Sequence, residues 1–281
     1  MKKVLGIVLG VVLVLAVLGL SFYAGTKYAN LENKKEEENG QVLEGDPKTV
    51  EEKEPELVGF EDPLVKDASS LIPSLMCHGY ALKLENKDRT LKDFTDNEKL
   101  SMVASYFAGK LDFEDSDDEE YTGEVHKEVK ESDVKKLFED TSFLKTLTKS
   151  KEDNMVGLGY KGFYYDFKDK KYYANIIATG CVADEYEDDY LQLFQAKKTD
   201  KTLVLDYSYA YLSTKYNEKK DIFVNNLYKS EGDKTPLVKN ASMDDEGDFD
   251  TDWSLFNHYE FVFDITNNNL RLTKINFIEV K

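Results

Sequence analysis

Hydrophobic and polar positions along the chain fall into three regimes. The first, Val4 to Ala24, reads VLGIVLGVVLVLAVLGLSFYA and contains no charged side chain. At about 1.5 Å per helical residue it reaches roughly 30 Å, the thickness of a bilayer's hydrocarbon core. It predicts a transmembrane helix. In the second regime, Leu31 to Glu56, apolar positions thin out, glutamate dominates, and Pro47 and Pro55 interrupt any regular element. Too little apolar surface is available there to offset the entropy of ordering, so the stretch predicts a disordered, self-repelling spacer. The resulting layout is a tail at 1–3, a span at 4–24, a linker at 25–57 and a folded body at 58–281.

Within the body the period changes part-way. Gly79 to Glu85 alternates Tyr80, Leu82 and Leu84 against polar or small positions, a strand signal, and a polar turn follows at Asn86 to Thr90. Thr95 and Glu98 form a capping box ahead of Leu100, Val103, Ala104 and Phe107, and Gly109 closes that helix. Val125 to Val129 alternates as a short strand. Ser132 is the expected cap of a second helix bearing Val134, Leu137 and Phe138, with Phe143, Leu144 and Leu147 continuing its packing. From Gly159 onward the period is two. Phe163 to Phe167 and Tyr172 to Ala178 predict one hairpin, Tyr190 to Ala196 and Thr202 to Leu212 another, and Ile222 to Tyr228 a further strand. Tyr259 to Ile265 turns at Asn267 to Asn269 into Leu270 to Val280, where the apolar phase slips and predicts a bulge near Thr273.

Helices followed by antiparallel strands make an α+β domain in which helices pack on one face of a curved antiparallel sheet. In element order this is similar to a cystatin-like or NTF2-like cone, a likeness of fold alone.

Charge sets the topology. Met1, Lys2 and Lys3 form a short positive tail that is expected to stay in the cytoplasm while the body is exported. Lys27, Lys34 and Lys35 on the far side reduce the contrast. Cleavage after Ala24 would put Phe22 at the −3 position, and cleavage after Ala29 would put Lys27 there, so an uncleaved signal anchor fits better than a removed signal peptide. Gly6 and Gly10 form a GxxxG pair, which leaves a homodimer through that helix face open beside ordinary lipid-facing glycine. Phe22, Tyr23 and Tyr28 suit the aromatic belt at the outer interface.

The net charge of −18 argues against nucleic acid, since binding a phosphate backbone requires a surplus of cations. Arg89 and Arg271 are the only arginines among many lysines, a usage that suggests a low-G+C bacterial source. The two cysteines, Cys77 and Cys181, either form a disulfide across a loop of about 100 residues or are two unrelated buried thiols. Neither lies at the end of the apolar run, so a lipoprotein attachment site is missing.

Candidate chemistry is sparse. Acidic clusters occur at Asp112 to Glu120, Asp184 to Asp189 and Asp244 to Asp252, and Asp248, Asp250 and Asp252 have the first three spacings of an EF-hand loop. The motif then fails, with Trp253 at its glycine position and Tyr259 at its glutamate. These three aspartates are the calcium candidates, and otherwise no cofactor is expected. Cys181 with His126 or His258 is the remaining thiol arrangement, and the three histidines lack zinc spacing. The stripe Tyr207, Tyr209, Tyr211 reads in two ways, as one core-facing side of a strand or as aromatic rings exposed to stack on sugars or a peptide. The expectation is a non-catalytic, extracytoplasmic binding or structural domain of a cell-envelope assembly. The layout is similar to membrane-assembly subunits of conjugation machines. The rival is a wall-active hydrolase using carboxylates of the acidic loops.

Overall fold

The computed structural model describes residues 54–72, 74–75, 79–80, 82–111, 124–149, 156–158, 161–177, 186–242 and 248–281, all within the compact unit Lys53–Lys281. The expected anchor with Gly6 and Gly10, nearly all of the spacer, Cys77, Cys181 and the acidic stretch 112–120 lie outside these residues. No helix among the described residues is long and apolar enough to cross a membrane.

In chain order the elements are β1 (Glu56–Leu57), α1 (Pro63–Ser69), β2 (Ser74–Leu75), β3 (Gly79–Tyr80), β4 (Arg89–Thr90), α2 (Asp96–Ala108), β5 (Glu124–Val129), the single-turn α3 (Glu131–Val134) and a 3-10 segment at Ser142–Thr148. Nine strands follow: β6 (Val156–Leu158), β7 (Lys161–Asp166), β8 (Lys171–Ile177), β9 (Tyr186–Lys198), β10 (Thr202–Asn217), β11 (Ile222–Tyr228), β12 (Val238–Ala241), β13 (Asn257–Asp264) and β14 (Arg271–Ile278). All pair antiparallel. The large sheet has the order β1-β9-β10-β13-β14-β4, with β11 and β12 added beyond the far part of β10. A second sheet has the order β5-β8-β7-β6, and β2 and β3 form a separate pair.

The α+β class and the antiparallel pairing are therefore as expected, but among the described residues one curved sheet is replaced by three. Period-two alternation marks a strand and its buried face without naming its partner. The β7–β8 hairpin turns back to β5, which lies before α3 and the 142–148 segment, whereas β9–β10 pairs forward to β13.

Helix α2 begins as its capping box requires. Thr95 Oγ1 accepts from the Glu98 amide at 3.2 Å, and the Glu98 carboxylate accepts from the Thr95 amide at 2.9 Å. The helix is more enclosed than an amphipathic stripe, since Leu100, Met102, Val103, Ala104 and Ala108 are all buried along with Ser101 and Ser105. Gly109 is the C-cap, and a Cβ there would stand 2.7 Å from the Ser105 carbonyl oxygen. The second helix is a correction. It is the single turn Glu131–Val134, with Lys130 at the N-cap making no side-chain cap and Ser132 inside the turn rather than capping it; farther on, Asp140 accepts from the Ser142 amide at 2.8 Å at the start of the 3-10 segment. Leu137, Phe138, Phe143, Leu144 and Leu147 are buried all the same.

Arg89 and Glu98 form a buried ion pair at 2.9 Å, 5 % and 6 % exposed. Arg89 also donates to the Lys83 and Asp93 carbonyls and lies 4.6 Å over the Phe94 ring. Glu98 additionally accepts from the Lys83 amide at 3.1 Å. The loop before α2 is thus tied to the helix's first turn. Burial alone pushes the Glu98 carboxyl upward, but hydrogen bonds from Arg89, Thr95 and Lys83 outweigh it and hold the group below the ordinary glutamate range.

The predicted slip in the last strand is present. Val262 pairs with Lys274 and Phe263 with Leu272, leaving Thr273 as the extra residue of a bulge, its hydroxyl donating to the Val262 carbonyl at 2.8 Å. Asn267 and Asn268 turn the chain with positive φ, a conformation asparagine tolerates. The main core joins α1, α2, the 142–148 segment, β7, β8, β10, β13 and β14. A smaller core gathers Ala210, Leu212, Leu227, Ala241, Phe249 and Phe256.

Candidate functional site

Strand β10 serves two faces. Leu203, Leu205, Tyr207 and Tyr209 enter the main core, while Ala210 and Leu212, of opposite parity, enter the smaller one. The tyrosine stripe is therefore core along most of its length, with Tyr207 8 % and Tyr209 6 % exposed, and Tyr211 half-buried. Ring edges from β13 seal it, Phe261 against Tyr207 at 5.5 Å and Tyr259 against Tyr209 at 5.6 Å. The hydroxyls find partners there: Tyr207 donates to Ser69 Oγ at 2.8 Å, Tyr209 to Asp189 Oδ1 at 2.6 Å and Tyr259 to Asn86 Oδ1 at 3.2 Å. Burial pushes the Tyr207 phenol up to about 12. Burial and the Asp189 carboxylate drive Tyr209 higher still, and burial raises Tyr259.

The opposite face of the same strands is polar. His258 Nδ1 lies 2.8 Å from Asp206 Oδ1; a carboxylate accepts, so Nδ1 is the donor of this bond. Ser208 pairs directly with His258 across β10 and β13. Its Oγ is buried and has no hydrogen-bond partner among the described residues. Asn276 donates to Glu260 Oε2 at 3.0 Å. On β9, Gln192 donates to Asp248 Oδ2 at 3.1 Å, and the Tyr190 hydroxyl donates to Gln192 Oε1 at 3.1 Å.

Aromatic rings edge this polar face. Tyr190 stacks on Trp253, with centroids 5.7 Å apart and planes 18° from parallel. A bulge between β9 and β10 leaves Phe194 without a partner position and turns it outward, 41 % exposed, with its ring 5.0 Å from that of His258. Phe249 and Phe256 pack over Ala210 and Leu212, so their segment brings Trp253 and Asp248 up as a wall at one end of the face.

Ser208, His258 and Asp206 have the composition of an acyl-transfer triad but not its working geometry. The base-to-nucleophile hydrogen bond is missing and the hydroxyl is sealed from solvent. The face instead gathers aromatic rings, amides, carboxylates and an imidazole on one side of the sheet.

No family model, curated protein or solved structure matches this chain.

The other sequence candidates are dispersed. No group of three or more His, Cys, Asp or Glu side chains among the described residues is placed to hold a metal. Asp248 accepts from Gln192, and Asp252 caps the 3-10 turn Trp253–Leu255 by accepting from the Ser254 amide at 3.1 Å. His126 Nδ1 bonds the Tyr164 hydroxyl at 2.7 Å on the second sheet. At the β10–β11 turn, Lys215, Tyr216, Glu218 and Val224 border an open hollow of about 580 Å³. It contains none of the His–Asp chemistry. Sequence reading missed the polar face because its members are spread over residues 190 to 276. Its one local signal was Asp206 and Ser208 interrupting an otherwise apolar strand.

Proposed function

We propose that this chain is a single-pass, membrane-anchored binding or structural domain of a bacterial cell-envelope assembly, held outside the cytoplasm and working without catalysis. The observation that carries the binding role is the outer face of the large sheet, where Tyr190, Gln192, Phe194, Asp206 and His258 form a hydrogen-bonded, aromatic-edged surface. The anchored location rests on the apolar run Val4 to Ala24 and the acidic spacer after it. The cystatin-like or NTF2-like cone belongs to the proposal in its coarse form, helices over antiparallel sheet. The alternative is a wall-active hydrolase using carboxylates of the acidic loops; among these, Asp248 accepts from Gln192 and Asp252 caps the Trp253–Leu255 turn, which leaves them in local structural roles.

Protease added to intact cells without an outer membrane tests the location. The acidic body is expected to be digested while a cytoplasmic marker survives. A body spared until the cells are lysed reverses the topology and removes the proposal.

A further inference from the structure

We infer that the tip of the β10–β11 hairpin rests on a lipid bilayer, with Tyr216, Ile222 and Phe223 at headgroup depth and Lys219 and Lys220 on lipid phosphates. The inference adds a second contact surface to the body and rests on the membrane-anchored reading just proposed.

Three observations meet at this tip. The first is exposure. Strand β9 pairs with β10 as far as Thr214, and β12 pairs with β11 no closer to the turn than Asn225. The rungs Lys215–Val224, Tyr216–Phe223 and Asn217–Ile222 therefore run on as a two-stranded ribbon, with no flanking strand among the described residues. Its last two rungs hold Ile222, Phe223 and Tyr216, which are 48 %, 44 % and 41 % exposed, and the rings of Tyr216 and Phe223 lie 5.3 Å apart. Large apolar side chains gathered in the open mark a contact surface.

The second observation is that the turn satisfies its own polar groups. The Asn217 carbonyl accepts from the Lys220 and Asp221 amides at 3.0 and 2.9 Å, and its side-chain oxygen accepts from the Lys219 and Lys220 amides at 3.2 and 3.3 Å. The Tyr216 hydroxyl donates to Asp221. A turn paired in this way loses little on entering a layer poor in water.

The third is charge. Residues 215–223 carry three lysines against two acids, in a chain with 55 acidic and 37 basic residues. Lys219 and Lys220 are exposed at the turn itself, where their stems can lie along the apolar side chains while the ammonium groups reach phosphate.

Together these select a bilayer over a protein. At ~100 Å² each, the three apolar side chains offer roughly 300 Å², against the ~800 Å² that each partner buries in a specific protein interface. An anionic polymer would leave the rings in water. The membrane interface takes aromatic rings and lysines together, and tethering makes even a weak contact count, because the anchor raises the tip's effective concentration there. Strand β1, where the spacer joins the body, pairs at the opposite end of β9 and β10 from this tip. A spacer of about 30 residues extends up to ~100 Å, twice the ~50 Å of β10, so the tip is within reach of the bilayer.

The full chain with Cys77→Ser and Cys181→Ser would carry an environment-sensitive fluorophore at Glu218→Cys, or at Asp200→Cys in the turn at the other end of β10 as a control. Each would be placed in nanodiscs of phosphatidylcholine with phosphatidylglycerol, with and without bromine on the acyl chains. Bromine is expected to quench the label at 218 by at least half and to leave the label at 200 nearly unchanged. Tyr216→Ser with Phe223→Ser, and separately Lys219→Glu with Lys220→Glu, are each expected to reduce that quenching at least twofold while the thermal unfolding midpoint stays nearly constant. An unquenched label at 218, equal quenching at both positions, or quenching that both double variants retain overturns the inference. Emission at 218 that follows the number of chains per nanodisc, with or without bromine, assigns the tip to a second copy and also overturns it. If the chain enters nanodiscs and the label at 218 is not quenched, the inference alone fails; if the chain does not enter them, the anchored reading fails and the inference with it.

Discussion

The two faces of the large sheet are built from the same strands and separated by one backbone thickness, yet they solve opposite problems. On the inner face Leu203, Leu205, Tyr207 and Tyr209 meet Tyr259, Phe261 and Phe263, and each tyrosine hydroxyl is given a partner. On the outer face Asp206 and Ser208 meet His258 and Glu260, rings stand at the edges, and one hydroxyl is left without a partner. Apolar burial and satisfied polar groups hold the inner face, whereas the outer face keeps ionisable and amide side chains together and leaves the Phe194 ring partly open to solvent.

The largest effects are expected on the inner side. Phe261→Ala removes a fully buried ring and is expected to cost about 3–5 kcal/mol in denaturant unfolding. Glu98→Ala strands the Arg89 charge in the same core and is expected to cost a similar ~3–5 kcal/mol. Glu98 also gives this region an acid limb. Its carboxyl is held below the value of about 4.3 expected in the unfolded chain, so its contribution is present above that value and is lost as pH falls through the folded one. Urea midpoints measured from pH 6 to pH 3 are expected to fall less steeply in Glu98→Gln than in the unmodified protein.

A middle-sized effect is expected from Tyr209→Phe, which removes the donor to Asp189 and is predicted to cost about 1.5–3 kcal/mol. The inner tyrosines also set an alkaline limb of opposite sign. Tyr207 is raised to about 12, so the folded form keeps its proton while the unfolded chain loses it, and stability declines as pH rises past the ordinary phenol value near 10. Tyr207→Phe is expected to flatten that decline between pH 10 and pH 12.

The smallest effect belongs to the outer face. Phe194→Ala is expected to change stability by no more than about 0.5 kcal/mol, because the ring is 41 % exposed. A larger loss would show that the outer face carries the fold as well, and the distinction between the faces would collapse. Millimolar calcium is expected to leave the unfolding temperature unchanged, since Asp248, Asp250 and Asp252 are not gathered into a metal-holding group; a clear rise would bring that loop back as a site.

Local chemistry was enough to read several elements from the chain alone. The Thr95–Glu98 box and Gly109 delimited α2, period-two runs located the hairpins, and the phase slip at Leu272 and Ile275 located the Thr273 bulge. Each of these is set by residues within a few positions of one another, and their physics is independent of distant partners. The apolar run Val4 to Ala24 is a reading of the same local kind. Tertiary structure alone decided the rest. It divided the strands into three sheets, buried Tyr207 and Tyr209, and set His258 beside Asp206 and Ser208, fifty residues apart in the chain. The reason is that alternation shows a strand to have two unlike faces, but which partner covers each face, and which face stays open, depends on long-range pairing that no single stretch encodes.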